Sequence, residues 1–509
     1  MNAKIRRQLA ARKRRVERRI DKHNCQGCEA PMMRPSNIKY ELAERTQGLA
    51  YGGLGAMRLL VQKLGLAEAI DRRLHLLKIH LPYHESDHVL NLAYNALCDG
   101  DCLEDLELRR NDEVYLNALG ARRIPDPTTA GDFCRRFEPQ DVRELQEVFH
   151  EARHKAWAGQ PAEFFDEARV DMDGVLVPTD GECKAGMDIA YNGVWGYHPL
   201  AVTLANTGET LSIVNRSGNR PSHEGAAAEV DRVLEVCFAG GFRKVLLRGD
   251  TDFTQTKHLD RWSDDPRVRF VFGVDSMANL ELLADELPNA AWQTLKRSPR
   301  YAVKTKPRRR PKNVKQQIVR ERGYKNLQLV GEEVAEFDYR PTACGKTYRM
   351  IVVKKWIDES KGQSVLFRSY RYFFYLTNDR ELSPAEVVFE ANDRCDQENL
   401  NAQLKGAVRA LHAPVDNLVS NWAYMVMVSL AWNLKAWWAL SLPEEPGPHA
   451  KPQREEKQRV LKMEFKTFRN ALMRLPCQIV QSGRRLIYRL LSWNPWQRLL
   501  FRWLDCMRC

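Results

Sequence analysis

The spacing of apolar residues along the chain predicts a helical unit near its start. From residue 50 to about 149, apolar residues recur at intervals of three and four, as in 90–97, which is typical of amphipathic helices. A break rich in proline and threonine at 124–129 separates two of these helices, and Thr128 or Thr129 is predicted to cap the second one.

From about Glu167 the pattern changes to short runs of β-branched and apolar residues, as expected of strands. The predicted strands are 169–177, 193–205, 211–215, 244–250 and 269–274. Residues 206–208 separate the second run from the third and predict a hairpin turn, and Ser222 is predicted to cap a helix that follows. Three antiparallel strands followed by alternating helices and strands predict an α/β fold.

This pattern is interrupted after Ser276 for about ninety residues, which include the strand-like run 348–353, and we predict a β-rich insertion there. Strand and helix patterns resume at Tyr370 and continue to Leu442, before a proline-rich linker. The predicted layout is a basic segment with a helical domain at 1–150, an α/β domain in two parts at 165–276 and 367–442, the insertion at 277–366, and a helical basic C-terminal region at 449–509.

The net charge of +13 is distributed unevenly. Residues 1–24 hold ten Lys and Arg against two acids, residues 296–325 hold thirteen against one, and residues 451–509 hold fourteen against four. Three basic blocks on an otherwise acidic body are expected of a protein that binds a polyanion at several places, and nucleic acid is the leading candidate. Charge that only keeps the protein in solution would explain one such block better than three.

The sequence predicts a cytoplasmic protein without a membrane partner, because it has no run of about 20 apolar residues and no apolar segment after its basic start. Its twelve cysteines lack the regular spacing of a disulfide framework. Two CxxC pairs, Cys25 with Cys28 and Cys506 with Cys509, are predicted to be ordinary thiols, with a zinc site joining the two termini as the alternative.

Acidic residues lie on or at the ends of two predicted strands. Asp171 and Asp173 are two residues apart and therefore point to the same face of a sheet, where they are either paired, bound to a cation or simply exposed. Asp250 ends a strand that should be buried, so its side chain is predicted at the carboxyl edge of the sheet, where ligands commonly bind. Asp252 is instead predicted to form a helix capping box with Gln255.

A third carboxylate lies in the helical segment 394–405. At 3.6 residues per turn, Arg394, Glu398 and Lys405 fall within a wedge of roughly 40° on one helix face. An exposed ion-pair ladder is the simplest explanation of this row, unless other acids converge on Glu398. Carboxylate oxygens are the ligands that Mg²⁺ prefers, and two such ions about 3.5–4 Å apart can serve a phosphodiester exchange. Asp173, Asp250 and Glu398 are the predicted ligands, with Mn²⁺ as a substitute for Mg²⁺.

The chain resembles the DDE transposases of bacterial insertion sequences, in particular those whose RNase H-like domain is split by a β-rich insertion before the last acid. The group typified by insertion sequence thirteen-eighty is the most similar. The likeness spans roughly residues 50–440 and rests on three segments, 170–182, 247–253 and 394–405, the last of which matches the family pattern Tyr-x2-Arg-x3-Glu-x6-Lys except for its tyrosine.

This resemblance implies an RNase H-like mixed sheet flanked by helices and a metal-binding triad of Asp173, Asp250 and Glu398. Arg394 and Lys405 would then hold DNA phosphates near the cut. The chain departs from the family in two places. Ala391 occupies the position of the tyrosine, and Gly174 follows the first acid in place of a small hydroxyl residue, so that Asp171 stays a rival for the first position.

The resemblance also implies partners. One is double-stranded DNA, both the inverted repeats of the protein's own element and target DNA. The other is a second copy of the chain, since two ends are cut together. Both imply a protein that works in the nucleoid. Within the insertion, Trp292 would hold a flipped base, although a lone tryptophan there is more often part of a core. The run Arg308, Arg309 and Arg310 would bind DNA. A nuclease without strand transfer and a non-catalytic DNA-binding descendant are the alternatives.

Overall fold

The computed structural model describes most of the chain. The described residues are 2–21, 38–42, 46–80, 82–179, 181, 183–297, 314–322, 325–361, 364–483 and 485–507. Within these ranges no helix is both long enough and apolar enough to cross a membrane.

The N-terminal part is helical. Its elements are α1 (Ala3–Asp21), β1 (Gly48–Leu49), α2 (Leu54–Leu64), α3 (Leu66–Arg73), α4 (Glu85–Leu97), α5 (Asp105–Arg110), α6 (Glu113–Leu119), α7 (Pro127–Cys134) and α8 (Pro139–Trp157). The predicted threonine cap of α7 is wrong. Asp126 caps this helix by accepting a hydrogen bond from the main-chain nitrogen of Thr129 at 2.9 Å, and Pro127 takes the first helical position, which needs no amide hydrogen.

The central part alternates strands and helices. Its elements are β2 (Ala168–Gly174), β3 (Val177–Pro178), β4 (Asp188–Ile189), β5 (Trp195–Tyr197), β6 (Leu200–Leu204), β7 (Glu209–Val214), α9 (Ala226–Ala239), β8 (Val245–Gly249), α10 (Thr256–Asp264), β9 (Val268–Val274) and α11 (Ala278–Asp285). The predicted hairpin is confirmed as β6 and β7. Ser222 does not cap α9, because the cap lies three residues later, at Gly225, whose φ of 73° suits glycine.

The stretch predicted as an insertion extends the same sheet. It contributes β10 (Gln293–Thr294), α12 (Val314–Glu321), β11 (Lys325–Tyr339) and β12 (Tyr348–Lys361), and β13 (Ser364–Thr377) follows. The order across the nine-stranded sheet is β10-β11-β12-β13-β9-β8-β2-β6-β7. Strands β2, β8 and β9 are parallel and the other pairs are antiparallel, so the fold is the mixed α/β type that was predicted.

Three helices follow the sheet, namely α13 (Pro384–Asn392), α14 (Cys395–Lys405) and α15 (Leu418–Leu440). Nearly all of α15 is buried between the N-terminal helices and β7. The carboxylate of Glu209 joins these layers, since it accepts hydrogen bonds from Arg153 at 3.0 Å, Trp157 at 2.9 Å and Trp437 at 2.6 Å. A buried acid with this many donors is fully satisfied and fixes how α8, β7 and α15 pack together.

The C-terminal region differs from the helical prediction. Its elements are α16 (Ala450–Leu461), α17 (Phe465–Phe468), β14 (Cys477–Ser482), β15 (Arg485–Leu490) and α18 (Gln497–Cys506). Strands β14 and β15 form a hairpin that pairs with β1 in a separate sheet. Exposed and half-buried residues alternate along β15, as expected of a strand with one face toward the protein. Arg12 on α1 donates to the main-chain oxygen of Leu490 at 3.0 Å, so the basic N-terminal helix contacts this hairpin.

Candidate active site

Two predicted site acids lie side by side at one edge of the sheet. Strands β2 and β8 are parallel neighbours in which Asp171 pairs with Arg248. Asp173 lies two residues after Asp171, and Asp250 lies two residues after Arg248. Both acids are therefore where their strands end. Neighbouring strands are about 4.8 Å apart, which brings these carboxylates close to each other.

Asp171 and Asp173 have different environments. Both oxygens of Asp171 accept hydrogen bonds from Arg248, from Nε at 2.6 Å and from Nη2 at 2.8 Å, and both side chains are buried. Asp173 is only partly buried and accepts one hydrogen bond, from Nδ2 of Asn401 at 2.7 Å. A carboxylate with both oxygens engaged by a guanidinium has little left to offer a cation, so these contacts favour Asp173 over Asp171 as a ligand.

Arg248 also connects the sheet to the helices that follow it. Its Nη1 donates to the main-chain oxygen of Glu390 near the end of α13, at 3.0 Å. The short connection after α13 leads directly to Arg394, the residue before α14. One buried guanidinium therefore joins β2, β8 and the end of α13, the helix that precedes the helix of Glu398.

The first turns of α14 lie against the acids. Asn401, which contacts Asp173, is three residues after Glu398 and thus on the same side of the helix. The Glu398 side chain is exposed. Arg394 lies 3.6 Å from Asp250 and donates to the main-chain oxygen of Met172 at 3.4 Å. Among these described residues Glu398 forms no ion pair with Arg394 or Lys405, so the helix does not carry the simple ion-pair ladder considered above.

The acids influence one another electrostatically. Burial raises the pKa of Asp173 to about 6; the nearby charge of Arg394 opposes this shift, and the charges of Asp250 and Glu398 add to it. Burial also raises the pKa of Asp250, again against the effect of Arg394. Their oxygens do not all come within 4.8 Å of one another in the described residues, as expected of like charges. A partly buried group of three carboxylates fits a hard divalent cation, which would offset this repulsion.

The two predicted phosphate ligands are both partly buried beside the acids. The Arg394 side chain is 17% exposed, and its guanidinium interacts with Asp173 and Asp250. Lys405 lies in the last turn of α14, where burial lowers its pKa and the charge of Asp173 partly opposes that shift. Both cations can therefore contact an anion that approaches the acids.

Sequence reasoning missed two features around these acids. A Cβ atom on Gly174 would lie 2.7 Å from Nε2 of His198 and 3.0 Å from Ser222, so any larger residue after Asp173 would have to displace the His198 side chain. The predicted capping box of Asp252 and Gln255 is wrong. Asp250 itself accepts a hydrogen bond from the main-chain nitrogen of Asp252 at 3.1 Å, and Gln255 directly precedes α10.

A tyrosine from another element lies near Arg394, although Ala391 occupies the family's tyrosine position. Ala391 packs on a small apolar cluster between the sheet and α13. Tyr375, on β13, is half-buried, and burial raises its pKa while the charges of Arg297 and Arg394 lower it. No local sequence pattern pointed to this phenol, because its position depends on how β13 pairs with β9.

Trp292 belongs to a cluster of aromatic residues around one lysine. Its ring is half-buried and stacks on Tyr372 with centroids 6.1 Å apart. The Lys354 amine lies 4.2 Å from the ring centroid of Tyr370, 4.8 Å from that of Trp356 and 5.3 Å from that of Trp292. Trp292 also packs against the main core, so it has features of both predicted roles. Arg308, Arg309 and Arg310 lie outside the described residues, as do Cys25, Cys28 and Cys509.

The chain matches a known protein family over most of its length. The family model for the transposase DDE domain, group 1, matches residues 49–508. No curated relative matches the chain. Among solved structures, a piggyBac transposase in a synaptic complex with hairpin DNA is 12% identical, with 82% of this chain and 81% of that chain covered and a TM-score of 0.35. That likeness is too weak for comparing individual residues. The family match covers most of the helical N-terminal part, the large sheet and the C-terminal region.

Proposed function

Since the chain belongs to the transposase DDE domain family, group 1, we propose that it is a DNA transposase that binds the terminal inverted repeats of a bacterial insertion sequence and catalyses strand cleavage and strand transfer there. The observation that supports this most is the position of Asp173 and Asp250 at the ends of adjacent parallel strands, with the helix of Glu398 packed against them. The RNase H-like description of this sheet is part of the proposal.

In the proposed site, Asp173, Asp250 and Glu398 hold the divalent cations, Mg²⁺ or Mn²⁺. When bound, such ions promote deprotonation of the attacking hydroxyl or water and stabilise charge on the leaving oxygen. Asn401 orients Asp173 through its 2.7 Å hydrogen bond, and Arg248 holds the two strands in register through Asp171. These buried contacts keep the carboxylates in place before substrate arrives.

Arg394 and Lys405 would bind the phosphates on either side of the cut. Arg394 pairs with Asp250 in the free protein, and a guanidinium released from this pair can bind a phosphate through two hydrogen bonds. A cation that neutralises the acids would favour that exchange, because it removes the partner of Arg394. Arg394 would therefore be free to bind phosphate once the acids hold their cations.

The long strands β11, β12 and β13 would meet DNA that approaches the acids. Strand β9 runs parallel to β8 and ends at Val274, which pairs with Phe374. Residues 364–373 of β13 extend beyond that point, on the side of the sheet where the acids lie, for roughly 30 Å at about 3.4 Å per residue. Trp292 stacks on Tyr372 in this extension, and these rings would hold an unpaired base.

The N-terminal helices and basic segment would bind the inverted repeats, and two copies of the chain would act on paired ends. The basic stretch 296–325, which includes Arg308, Arg309 and Arg310, would also bind DNA. An RNase H-like nuclease without strand transfer is the runner-up function, since the same acids would serve it.

The proposal is tested with a labelled duplex that carries the DNA flanking the reading frame on both sides, incubated with the protein and Mg²⁺. A transposase gives cleavage at both ends and covalently joined products, whereas a nuclease gives cleavage alone. Glu398→Gln should abolish both products while end binding, measured by gel shift, stays within about twofold. Joined products from Glu398→Gln would refute the assignment.

A further inference from the structure

A second group of metal-ligand residues lies in the loop between α3 and α4 and at the first residue of α4. His80, His84 and Glu85 each place one nitrogen or oxygen within 4.8 Å of the others, the only group of three His, Cys, Asp or Glu in the described ranges to do so. Both histidines are exposed, and their rings stack with centroids 4.9 Å apart. The Glu85 side chain is 1% exposed.

The buried carboxylate is already oriented for a cation. Its Oε1 accepts hydrogen bonds from the main-chain nitrogens of Leu76 and Leu77, both at 3.0 Å. Its Oε2 lies 3.3 Å from Nε2 of His80. Two ligands on one tetrahedral zinc ion, with bonds of about 2.0–2.1 Å, are about 3.3–3.4 Å apart. One oxygen is thus held by the backbone while the other stands at zinc-ligand spacing from a histidine.

The sequence from His84 to His88 also fits the pattern His-Glu-x-x-His of zinc peptidases, but the structure does not form that site. His88 is buried and stacks on Phe133 with ring centroids 4.2 Å apart, and burial lowers its pKa to about 4. A peptidase would need His84 and His88 on one metal and a free glutamate as base. In this protein the histidine that lies with His84 near Glu85 is His80 and not His88, and the Glu85 carboxylate is buried among the possible metal ligands.

We propose that His80, His84 and Glu85 bind one Zn²⁺, with water in the fourth position. Two imidazoles and a carboxylate suit this ion. Two further acids lie next to the group, since Asp87 accepts a hydrogen bond from the main-chain nitrogen of His84 at 2.9 Å and Asp71 accepts one from that of Ser86 at 2.8 Å. Their charge offsets the unfavourable effect of a helix N-terminus on a cation. The ion would tie the loop to the first turn of α4.

The site is tested on the full-length, tag-free protein by titration calorimetry with Zn²⁺ in excess Mg²⁺, so that the carboxylate triad is already filled. One Zn²⁺ should bind per chain, and Co²⁺ in its place should give the visible absorption bands of tetrahedral coordination. His80→Ala should weaken Zn²⁺ binding at least tenfold and remove those bands. His75→Ala is the matched control, because His75 is an exposed histidine of the same loop outside the group, and its binding should match the wild type.

Two further readouts separate binding from folding and from the triad. Zn²⁺ should raise the Tm of the wild type but not that of His80→Ala, while the two proteins share the same Tm without metal. Zn²⁺ binding should survive in Glu398→Gln. The proposal is overturned if the wild type does not bind one Zn²⁺ per chain, or if His80→Ala binds Zn²⁺ as well as the wild type. It is also overturned if Glu398→Gln loses Zn²⁺ binding.

Discussion

Replacing Arg248 with methionine should unfold the sheet at a much lower temperature than in the wild type. The Asp171 and Arg248 side chains are 1% and 2% exposed and share two hydrogen bonds of 2.6 and 2.8 Å. Removing one partner of such a pair leaves a buried, unpaired charge and costs about 3–5 kcal/mol. For a unit of 150–250 residues that corresponds to a fall in Tm of roughly 6–20 °C.

The double variant Asp171→Leu with Arg248→Met separates the pair's stability from its positioning role. Apolar replacements of similar size often restore the stability lost when one partner of a buried pair is removed, so the Tm should return to within a few degrees of the wild type. The bond from Arg248 to the Glu390 carbonyl would still be missing. DNA cleavage by the double variant should therefore stay at least about tenfold below the wild type despite its recovered Tm.

Thermal unfolding followed by circular dichroism measures the first effect, and single-turnover cleavage measures the second. Arg368→Met is a matched control. Arg368 also makes two hydrogen bonds to one carboxylate, that of Asp358 at 2.7 and 3.3 Å, but on the surface, so its loss should hardly change the Tm. The reasoning fails if Arg248→Met behaves like this control, or if the double variant is as unstable as the single one.

Three further predictions concern the site and the core. Asn401→Ala should slow cleavage about tenfold or more with unchanged DNA binding, because Asp173 loses its only hydrogen-bond donor among the described residues; an unchanged single-turnover rate would count against this. EDTA should stop cleavage but not end binding, and Mg²⁺ or Mn²⁺ should restore it; cleavage in EDTA would contradict the cation site. Burial lowers the pKa of Lys435 to about 7 from 10.5, so the unfolded chain binds more protons between these values and stability rises with pH there. The stability advantage of Lys435→Met over the wild type, from urea unfolding, should therefore shrink by about 1.4 kcal/mol per pH unit from pH 7 to 10, and a constant difference would refute the argument.

Local sequence patterns predicted the parts of the fold that depend on local spacing. The runs that became β8 and the β6–β7 hairpin alternate or cluster in the way that strands do, and the position of Asp250 follows from where its strand ends. Cap positions were less predictable, because several residues compete for each one. At α7, for example, Asp126 followed by Pro127 at the first helical position is a better N-terminal cap than either threonine.

The contacts that distinguish the acids depend on tertiary structure. Asp171 and Arg248 are 77 residues apart, and Asn401 is 228 residues from Asp173, so neither partner follows from local spacing. The approach of Tyr375 to Arg394 likewise depends on the pairing of β13 with β9. The alternating burial of β15 follows from its pairing with β14 and was not visible in the residue types, because Leu486, Ile487 and Tyr488 form one apolar run.

The most direct test of the proposed triad is single-turnover cleavage of the flanking DNA by Asp173→Asn, Asp250→Asn and Glu398→Gln. Each variant should lose at least about a hundredfold in rate, because each removes a ligand from the cations that stabilise the reaction, while gel shifts show normal end binding. Asp252→Asn and Asp396→Asn are matched controls, since both acids are exposed close neighbours in sequence of the triad, and they should cleave within a few-fold of the wild type. Wild-type cleavage by any triad variant, or an equal loss in the controls, would contradict the account.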